Sequence, residues 1–204
     1  MEKRISFTSG ELTLEGRYSR SSGAAGAIVT HPHPLYGGDM ANPVVESLVH
    51  AYRRKNISTL RFNFRGVGLS QGEYDQGIGE RQDVLAAIDF LLEQGLSTIE
   101  LAGYSFGAWV NAHLEHLPVE VATMIFVSPP LALLSFTEVG ALSRLRLVVC
   151  GEEDEIAPPS LVEKTLPGWN TPARLAIIDY ADHFYNGCFP ALERVMDAYL
   201  SGQS

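Results

Sequence analysis

The residues of this chain best suited to covalent chemistry lie at Gly103-Tyr104-Ser105-Phe106-Gly107. A serine hydroxyl is a weak nucleophile near neutral pH. It needs an imidazole to take its proton and a carboxylate to orient that imidazole. Ser97–Glu100 before the pentapeptide reads as a short strand, and Ala108–Leu114 after it reads as a helix. A Gly-x-Ser-x-Gly segment at such a switch predicts a nucleophile elbow. The reason is steric: the serine sits in a strained turn, so Gly103 and Gly107 must lack side chains for strand and helix to pass closely. The same turn places the Phe106 N–H at a helix N-terminus, where it can donate to an oxyanion.

Partners for Ser105 are sought on later loops. A strand at Leu145–Cys150 empties into Gly151-Glu152-Glu153-Asp154-Glu155-Ile156-Ala157-Pro158, and a strand at Ala173–Ile178 empties into Asp179-Tyr180-Ala181-Asp182-His183-Phe184. His183 is the only histidine after Ser105 on a post-strand loop. His113 and His116 fall within or just after the elbow helix, and His50 is an ordinary helix residue. Among the clustered acids, the first residues beyond the strand are used up in turning, which favours Asp154 over its neighbours.

A second chemical loop is His31-Pro32-His33-Pro34-Leu35-Tyr36-Gly37-Gly38, whose prolines and glycines argue against regular structure. Pro32 and Pro34 have no N–H, so a backbone donor here is His33 or Leu35. His-x-His at a strand end is also how metal-dependent hydrolases begin a site. Such a site needs more ligands, and the candidates, Asp154 and His183, are already claimed by a serine that a metal would leave unexplained. No metal or other cofactor is expected. The glycines at 66, 68 and 72 do not have dinucleotide spacing and open no helix; tight backbone packing, with Arg65 bracing the loop, is the expectation.

The elements that must position these loops follow from periodicity. Arg4 to Tyr18 alternates around Ser9-Gly10 like a β-hairpin. Ala24–Thr30 and Ile57–Phe64 read as strands, with the first buried on both faces. Asn42-Pro43 reads as an N-cap and first turn, opening a helix to about Lys55 whose apolar face is Val44, Val45, Leu48, Val49 and Tyr52. Further helices are expected at Gly79–Gln94, Ser160–Leu166 and Phe189–Leu200, a strand at Val121–Val127, and an irregular apolar stretch from Ser128 to Leu142. Strands alternating with helices imply a mostly parallel sheet with helices on both faces and an antiparallel N-terminal edge. Ligands of such sheets bind at the carboxyl ends of the strands, where all of these loops lie.

The 204 residues suffice for one domain, expected over 1–204. A formal net charge of −9 without a dense Lys/Arg block argues against nucleic acid and anionic membranes as partners. Cys150 and Cys188 make neither a disulfide framework nor a metal pair. Met1–Phe7 has no apolar h-region, and the most apolar segment, Val121–Leu134, is short for a membrane span and broken by Pro129 and Pro130. A cytoplasmic protein, monomer or homodimer, is the expectation.

Five ordered segments together resemble the small, cap-less bacterial α/β-hydrolases, similar in outline to the dienelactone hydrolases: His31–Gly38, Phe62–Ser70, Gly103–Gly107, Gly151-x-x-Asp154-x-Ile156-x-Pro158 and Asp182-His183-Phe184. The resemblance implies an α/β-hydrolase fold and a Ser105–Asp154–His183 triad, in the family's chain order. It also favours the His33 N–H as the second oxyanion donor beside Phe106. The elbow carries Ser where dienelactone hydrolases carry Cys, which argues against dienelactone itself. The implied activity is hydrolysis of a small carboxylic ester or thioester through an acyl-enzyme. Alternatives are a peptidase or acyl-transferase using the same triad, or a non-catalytic binding member of the fold, with a metal-dependent hydrolase the weakest. Ser128–Leu142 is too short for a helical cap. Its Leu131, Leu133, Leu134 and Phe136 are candidates for one wall of an open cleft, with Leu35, Tyr36 and Phe184 opposite and Tyr104 beside the serine.

Overall fold

A computed structural model of the chain describes residues 1–202, so the last two residues of the expected 1–204 domain lie outside the described ones. The alternating start of the chain forms strands β1 (Lys3–Ser9) and β2 (Leu12–Ser19), antiparallel to each other. Gly10 makes the turn between them at φ 59°, a left-handed conformation that costs glycine little. There follow β3 (Ala25–Thr30), α1 (Pro43–Arg54), β4 (Ser58–Phe62), α2 (Ile78–Glu93), β5 (Thr98–Tyr104), α3 (Phe106–Ala112) and β6 (Val121–Val127). The chain ends in β7 (Leu145–Gly151), α4 (Pro159–Trp169), β8 (Arg174–Ile178) and α5 (Phe189–Ser201).

The strands form one sheet in the order β1-β2-β4-β3-β5-β6-β7-β8. β2 is antiparallel to both β1 and β4, and every later pairing is parallel. Side chains alternate across a strand, so each central strand feeds two cores. Ile28, Leu60, Leu101, Phe126 and Val148 join α2, α3 and α4 on one face. Ala27, Val29, Ala102, Ile125 and Val149 join α1 and α5 on the other. Burial on both faces explains why these strands read as apolar runs rather than alternations.

The helix starts follow local chemistry. Asn42 Oδ1 accepts from the Val44 N–H at 2.9 Å, and Pro43 occupies the first helical position, where no N–H is needed. At the other end of α1, Arg54 pairs with Glu193 and Asp197 of α5 at 2.7 and 3.0 Å. Several boundaries differ from expectation, among them the end of β5, which runs to Tyr104 rather than Glu100. The loop after β3 contains one 3-10 turn, Pro34–Tyr36, which Pro34 can begin because its missing N–H is not required there. α3 starts at Phe106, directly after the serine, and α4 continues past Leu166 to Trp169 with Pro167 inside it. From 128 to 144 there are only turns and bends, so among the described residues no cap covers the carboxyl edge of the sheet. No helix of the described residues is long and apolar enough to cross a membrane.

Midway along β5 lies a buried acid. Glu100 accepts from the Tyr52 hydroxyl at 3.1 Å, and burial pushes its carboxyl up to about 7. With the folded pKa above the unfolded one, the folded chain holds a proton that the unfolded chain has lost. The contribution to stability is therefore full below about pH 4.5 and is lost as pH rises through about 7. Glu100→Gln has no such titration. Its stability relative to the parent, measured by urea unfolding, is expected to rise by about 1–3 kcal/mol between pH 5 and pH 8. A pH-independent difference would mean that Glu100 is not neutral when buried.

Candidate active site

Ser105 sits between β5 and α3 with φ 52° and ψ −117°. A non-glycine residue in this region carries about 1–3 kcal/mol of strain and persists only where its surroundings hold it. The hold is visible. The Ser105 N–H donates to the Val127 carbonyl of β6 at 2.9 Å, and its own carbonyl accepts from the Trp109 N–H at 3.1 Å. A Cβ on Gly103 would lie 2.5 Å from the Ala108 nitrogen, and one on Gly107 would lie 2.5 Å from Thr30 Oγ1. Both glycines are required for α3 to begin where it does, as the steric reading of the elbow anticipated.

His183 lies on the loop after β8. Its Nε2 is 3.0 Å from Ser105 Oγ, and its Nδ1 is 2.9 and 3.0 Å from the two carboxylate oxygens of Asp154. Asp154 is 2% exposed, whereas Glu152, Glu153 and Glu155 face solvent. The turn after β7 produces this difference: the Ile156 and Ala157 N–H groups donate to Asp154 Oδ1 at 2.9 and 2.7 Å and fold the loop around the carboxylate. Burial alone would raise its pKa. The His183 hydrogen bond and charge, together with the Ala157 N–H, outweigh it and hold the carboxyl below its usual range. An ionised carboxylate only accepts, so Nδ1 carries the imidazole proton and Nε2 is left to accept from the serine hydroxyl.

Two residues hold this arrangement in ways their sequence context did not announce. Tyr104, expected only to touch substrate, lines the cleft but also donates its hydroxyl to the His183 carbonyl at 2.9 Å. Tyr185, on the same loop as His183, is fully buried and hydrogen-bonded through its hydroxyl to Ser128 Oγ at 2.8 Å, which ties that loop to the end of β6. No motif marks Tyr185 or Ser128, and none pairs Tyr104 with His183.

The imidazoles of the His31–Gly38 loop are both accounted for by hydrogen bonds. His31 is fully buried; Nε2 accepts from the Phe64 N–H at 3.0 Å, so Nδ1 is protonated and donates to the Pro32 carbonyl at 2.7 Å. Burial lowers its pKa to about 4, so the ring is neutral. His33 Nδ1 accepts from the Leu35 N–H at 3.2 Å, leaving Nε2 to donate to the Tyr74 hydroxyl at 3.3 Å. Burial lowers this pKa as well. The His33 ring also packs 4.7 Å from Phe106, centroid to centroid. The Leu35 N–H is thereby spent, and the backbone N–H groups of His33 and Phe106 donate to no group among the described residues. Arg65 braces the neighbouring loop through Asp83 at 2.8 Å, and a Cβ on Gly66 would press on the Glu73 and Tyr74 backbone at 3.0 Å.

Ser105, Phe106, His33 and His183 open into a cleft of about 360 Å³ walled by Tyr36, Tyr104, Pro130, Leu133, Leu134, Ile156 and Phe184, with Asn42 at one side. Three expected wall residues are corrected. Leu35, in the 3-10 turn, points to solvent at 67% exposure. Leu131 packs partly buried against the core, and Phe136 is buried with its ring 5.1 Å from that of Trp169. The turn that joins the Leu133 and Leu134 N–H groups to the Pro130 carbonyl instead brings those two leucines to the cleft. Ile156, named only within the loop motif, was not expected in the wall because its position depends on the turn around Asp154.

No protein-family model matches the chain. An α/β serine hydrolase homologue from Coxiella burnetii, of solved structure, is 33% identical, with 97% of each chain covered and a TM-score of 0.89. An α/β serine hydrolase without a lid from Xanthomonas campestris is 29% identical, with 97% of this chain and 92% of that one covered and a TM-score of 0.88. An uncharacterised protein of Rickettsia prowazekii is 32% identical over 209 residues, 97% of this chain and 88% of its own length. The chain belongs to the α/β serine hydrolases, and its described residues form no lid.

The burial of Asp154 and exposure of its neighbours lead to a direct expectation. Asp154→Asn should lower kcat/KM for an activated ester by about 10⁴-fold, because an amide permits the wrong imidazole tautomer and cannot stabilise an imidazolium. Glu153→Gln and Glu155→Gln should stay within about twofold of the parent. Equal losses in all three variants would show that the carboxylate behind His183 is not special.

Proposed function

We propose that the protein hydrolyses small carboxylic esters or thioesters through a covalent acyl-enzyme. The observation that carries this is His183 set between Ser105 Oγ, at 3.0 Å, and the buried Asp154, with the serine facing an open cleft. Ser105 Oγ attacks the substrate carbonyl carbon while His183 Nε2 takes the hydroxyl proton. Negative charge develops on the carbonyl oxygen, where the unspent N–H groups of Phe106 and His33 receive it. Collapse of the tetrahedral intermediate breaks the bond to the leaving group, which takes the proton from His183. A water activated by the same imidazole then releases the acid and restores the serine. Asp154 keeps the imidazole in the productive tautomer throughout. The fold family supports hydrolysis; the triad, the oxyanion donors and the ester class are proposed from the geometry of this chain.

The size of the substrate follows from the cleft. Its volume is near the lower end of the range for small-molecule sites, and no cap of the described residues closes it. Each buried methylene contributes about 0.8 kcal/mol, and only while it stays out of water. An acyl chain longer than a few carbons runs past Leu133 and Phe184, which are 67% and 58% exposed, into solvent.

Ser105→Ala should reduce turnover of p-nitrophenyl butyrate by about 10⁴- to 10⁶-fold while leaving the thermal midpoint within a few degrees. Undiminished turnover by the purified variant would end the proposal. Across p-nitrophenyl esters from acetate to palmitate, kcat/KM should peak at short chains and show no jump at the onset of micelles. A profile still rising at decanoate would mean that the cleft extends into a deep acyl tunnel.

A further inference from the structure

The two N–H groups proposed to receive the oxyanion belong to residues whose side chains pack together. The His33 ring lies 4.7 Å from that of Phe106, and a third ring, Tyr74, meets both, at 5.1 Å from His33 and 5.9 Å from Phe106. His33 comes from the loop after β3, Tyr74 from the loop after β4 and Phe106 from the start of α3, so three elements of the carboxyl edge converge in this cluster. Tyr74 is half-buried and does not belong to the cleft wall. Any effect it has on the reaction must therefore pass through its neighbours.

His33 is held at every polar group but one. Its carbonyl accepts from the Tyr36 and Gly38 N–H groups at 3.1 and 3.0 Å, and its Nδ1 accepts from the Leu35 N–H at 3.2 Å. With Nδ1 an acceptor, the neutral ring carries its proton on Nε2, and the Tyr74 hydroxyl, 3.3 Å away, receives it. The ring is thus tied at both nitrogens, to its own loop by Leu35 and to the next loop by Tyr74. What remains free is the backbone N–H. It shares a planar trans peptide with the Pro32 carbonyl, so the two point in opposite directions. His31 Nδ1 donates to that carbonyl at 2.7 Å, which anchors the far side of the same peptide.

The loop that delivers Tyr74 is itself rigid. Glu80 is fully buried, and its carboxylate accepts from the Asp75 N–H at 2.9 Å and the Gly77 N–H at 2.7 Å. Across the loop, the Gly66 N–H donates to the Gln71 carbonyl at 3.2 Å, and Asp83 binds Arg65 at 2.8 Å. Phe106 is backed from its other side by Trp109, stacked at 5.7 Å with 23° between the ring planes. The segment after β4, which no step of the proposed reaction uses, therefore ends in a fixed ring set against both anion-binding residues.

We infer that, given the oxyanion site proposed above, Tyr74 is its positioning residue: the hydroxyl ties the His33 ring, the aromatic face holds that ring against Phe106, and together they set the separation of the two N–H groups. Tyr74 touches neither substrate nor the reacting atoms. Its contribution is realised when charge gathers on the carbonyl oxygen, because the spacing of the donors matters most to the oxyanion and little to the neutral ester.

Two variants of the full chain, Tyr74→Phe and Tyr74→Ala, test this with p-nitrophenyl butyrate and a propyl trifluoromethyl ketone. The ketone forms a reversible adduct: Ser105 Oγ bonds to its carbonyl carbon, the hydroxyl proton passes to His183, and the carbonyl oxygen becomes the anion. Tyr74→Phe, which deletes one oxygen atom, should lower kcat about 5- to 10-fold. Tyr74→Ala should lower it about 10²-fold, the scale of losing one oxyanion donor. KM should stay within about twofold in both, and Ki for the ketone should rise by the factor by which kcat/KM falls. Unchanged kcat and Ki in both variants, beside an active and inhibited parent, would overturn the inference while leaving ester hydrolysis intact. A fall in kcat without a rise in Ki would overturn it as well, since Tyr74 would then act on something other than the anion site. Should Tyr74→Ala fail to fold, Tyr74→Phe decides alone. A parent that neither hydrolyses the ester nor binds the ketone would overturn the proposed reaction, and this inference with it.

Discussion

The close approach of α3 to β5 is the constraint on which the site depends. Gly103 and Gly107 allow it, and the turn between them has no relaxed conformation for a residue with a side chain. Ser105 is held at positive φ because its N–H is fixed to β6 and its carbonyl to α3. The strain has two consequences for chemistry. The hydroxyl stands above the end of the sheet instead of packing into it. The Phe106 N–H, first in the helix, has no carbonyl behind it to bond and is left for an incoming oxygen. Packing that looks purely architectural therefore sets both the proposed nucleophile and half of its proposed anion site.

A second constraint joins the other two residues of the proposed triad. Asp154 and His183 come from different loops, yet β7 and β8 are neighbours and their ends are laced together. The Glu152 N–H donates to the Ile178 carbonyl and the Glu153 N–H to the Ala181 carbonyl, both at 2.9 Å. Gly151 packs so closely on Ala181 that a side chain there would strike its carbonyl. A buried carboxylate would be costly alone; three N–H donors to one of its oxygens, including the imidazole, make it stable as the anion. The imidazole is held from behind as well, since Tyr104 grips the backbone of His183 from the strand that delivers the serine.

Much of this was legible in the sequence because it is local. The elbow announces itself by glycines at fixed spacing, the start of α1 by Asn42-Pro43, and the strands by apolar runs ended by turn residues. Asp154 could be chosen over three neighbouring glutamates by how many residues a turn consumes, and its solitary burial agrees. What escaped is non-local. Leu131 and Leu133 are two residues apart in the same apolar stretch, but only the turn onto Pro130 decides which meets the cleft and which the core. The hydroxyls of Tyr104 and Tyr185 find partners 79 and 57 residues away, and no spacing rule reaches that far. The acid within β5 was passed over for a similar reason: its neutrality depends on α1, which covers it.

The central claim is that Ser105 is a nucleophile primed by His183, and its reaction with an alkyl fluorophosphonate tests that without assuming any substrate. Such a probe loses fluoride to an activated serine and leaves a stable phosphonyl ester. The account predicts a single adduct by intact mass, mapped to the peptide containing Ser105, formed by the folded protein and suppressed in unfolded protein and in His183→Ala. Absence of any adduct under conditions that label a known serine hydrolase, or labelling elsewhere with Ser105 untouched, would contradict it.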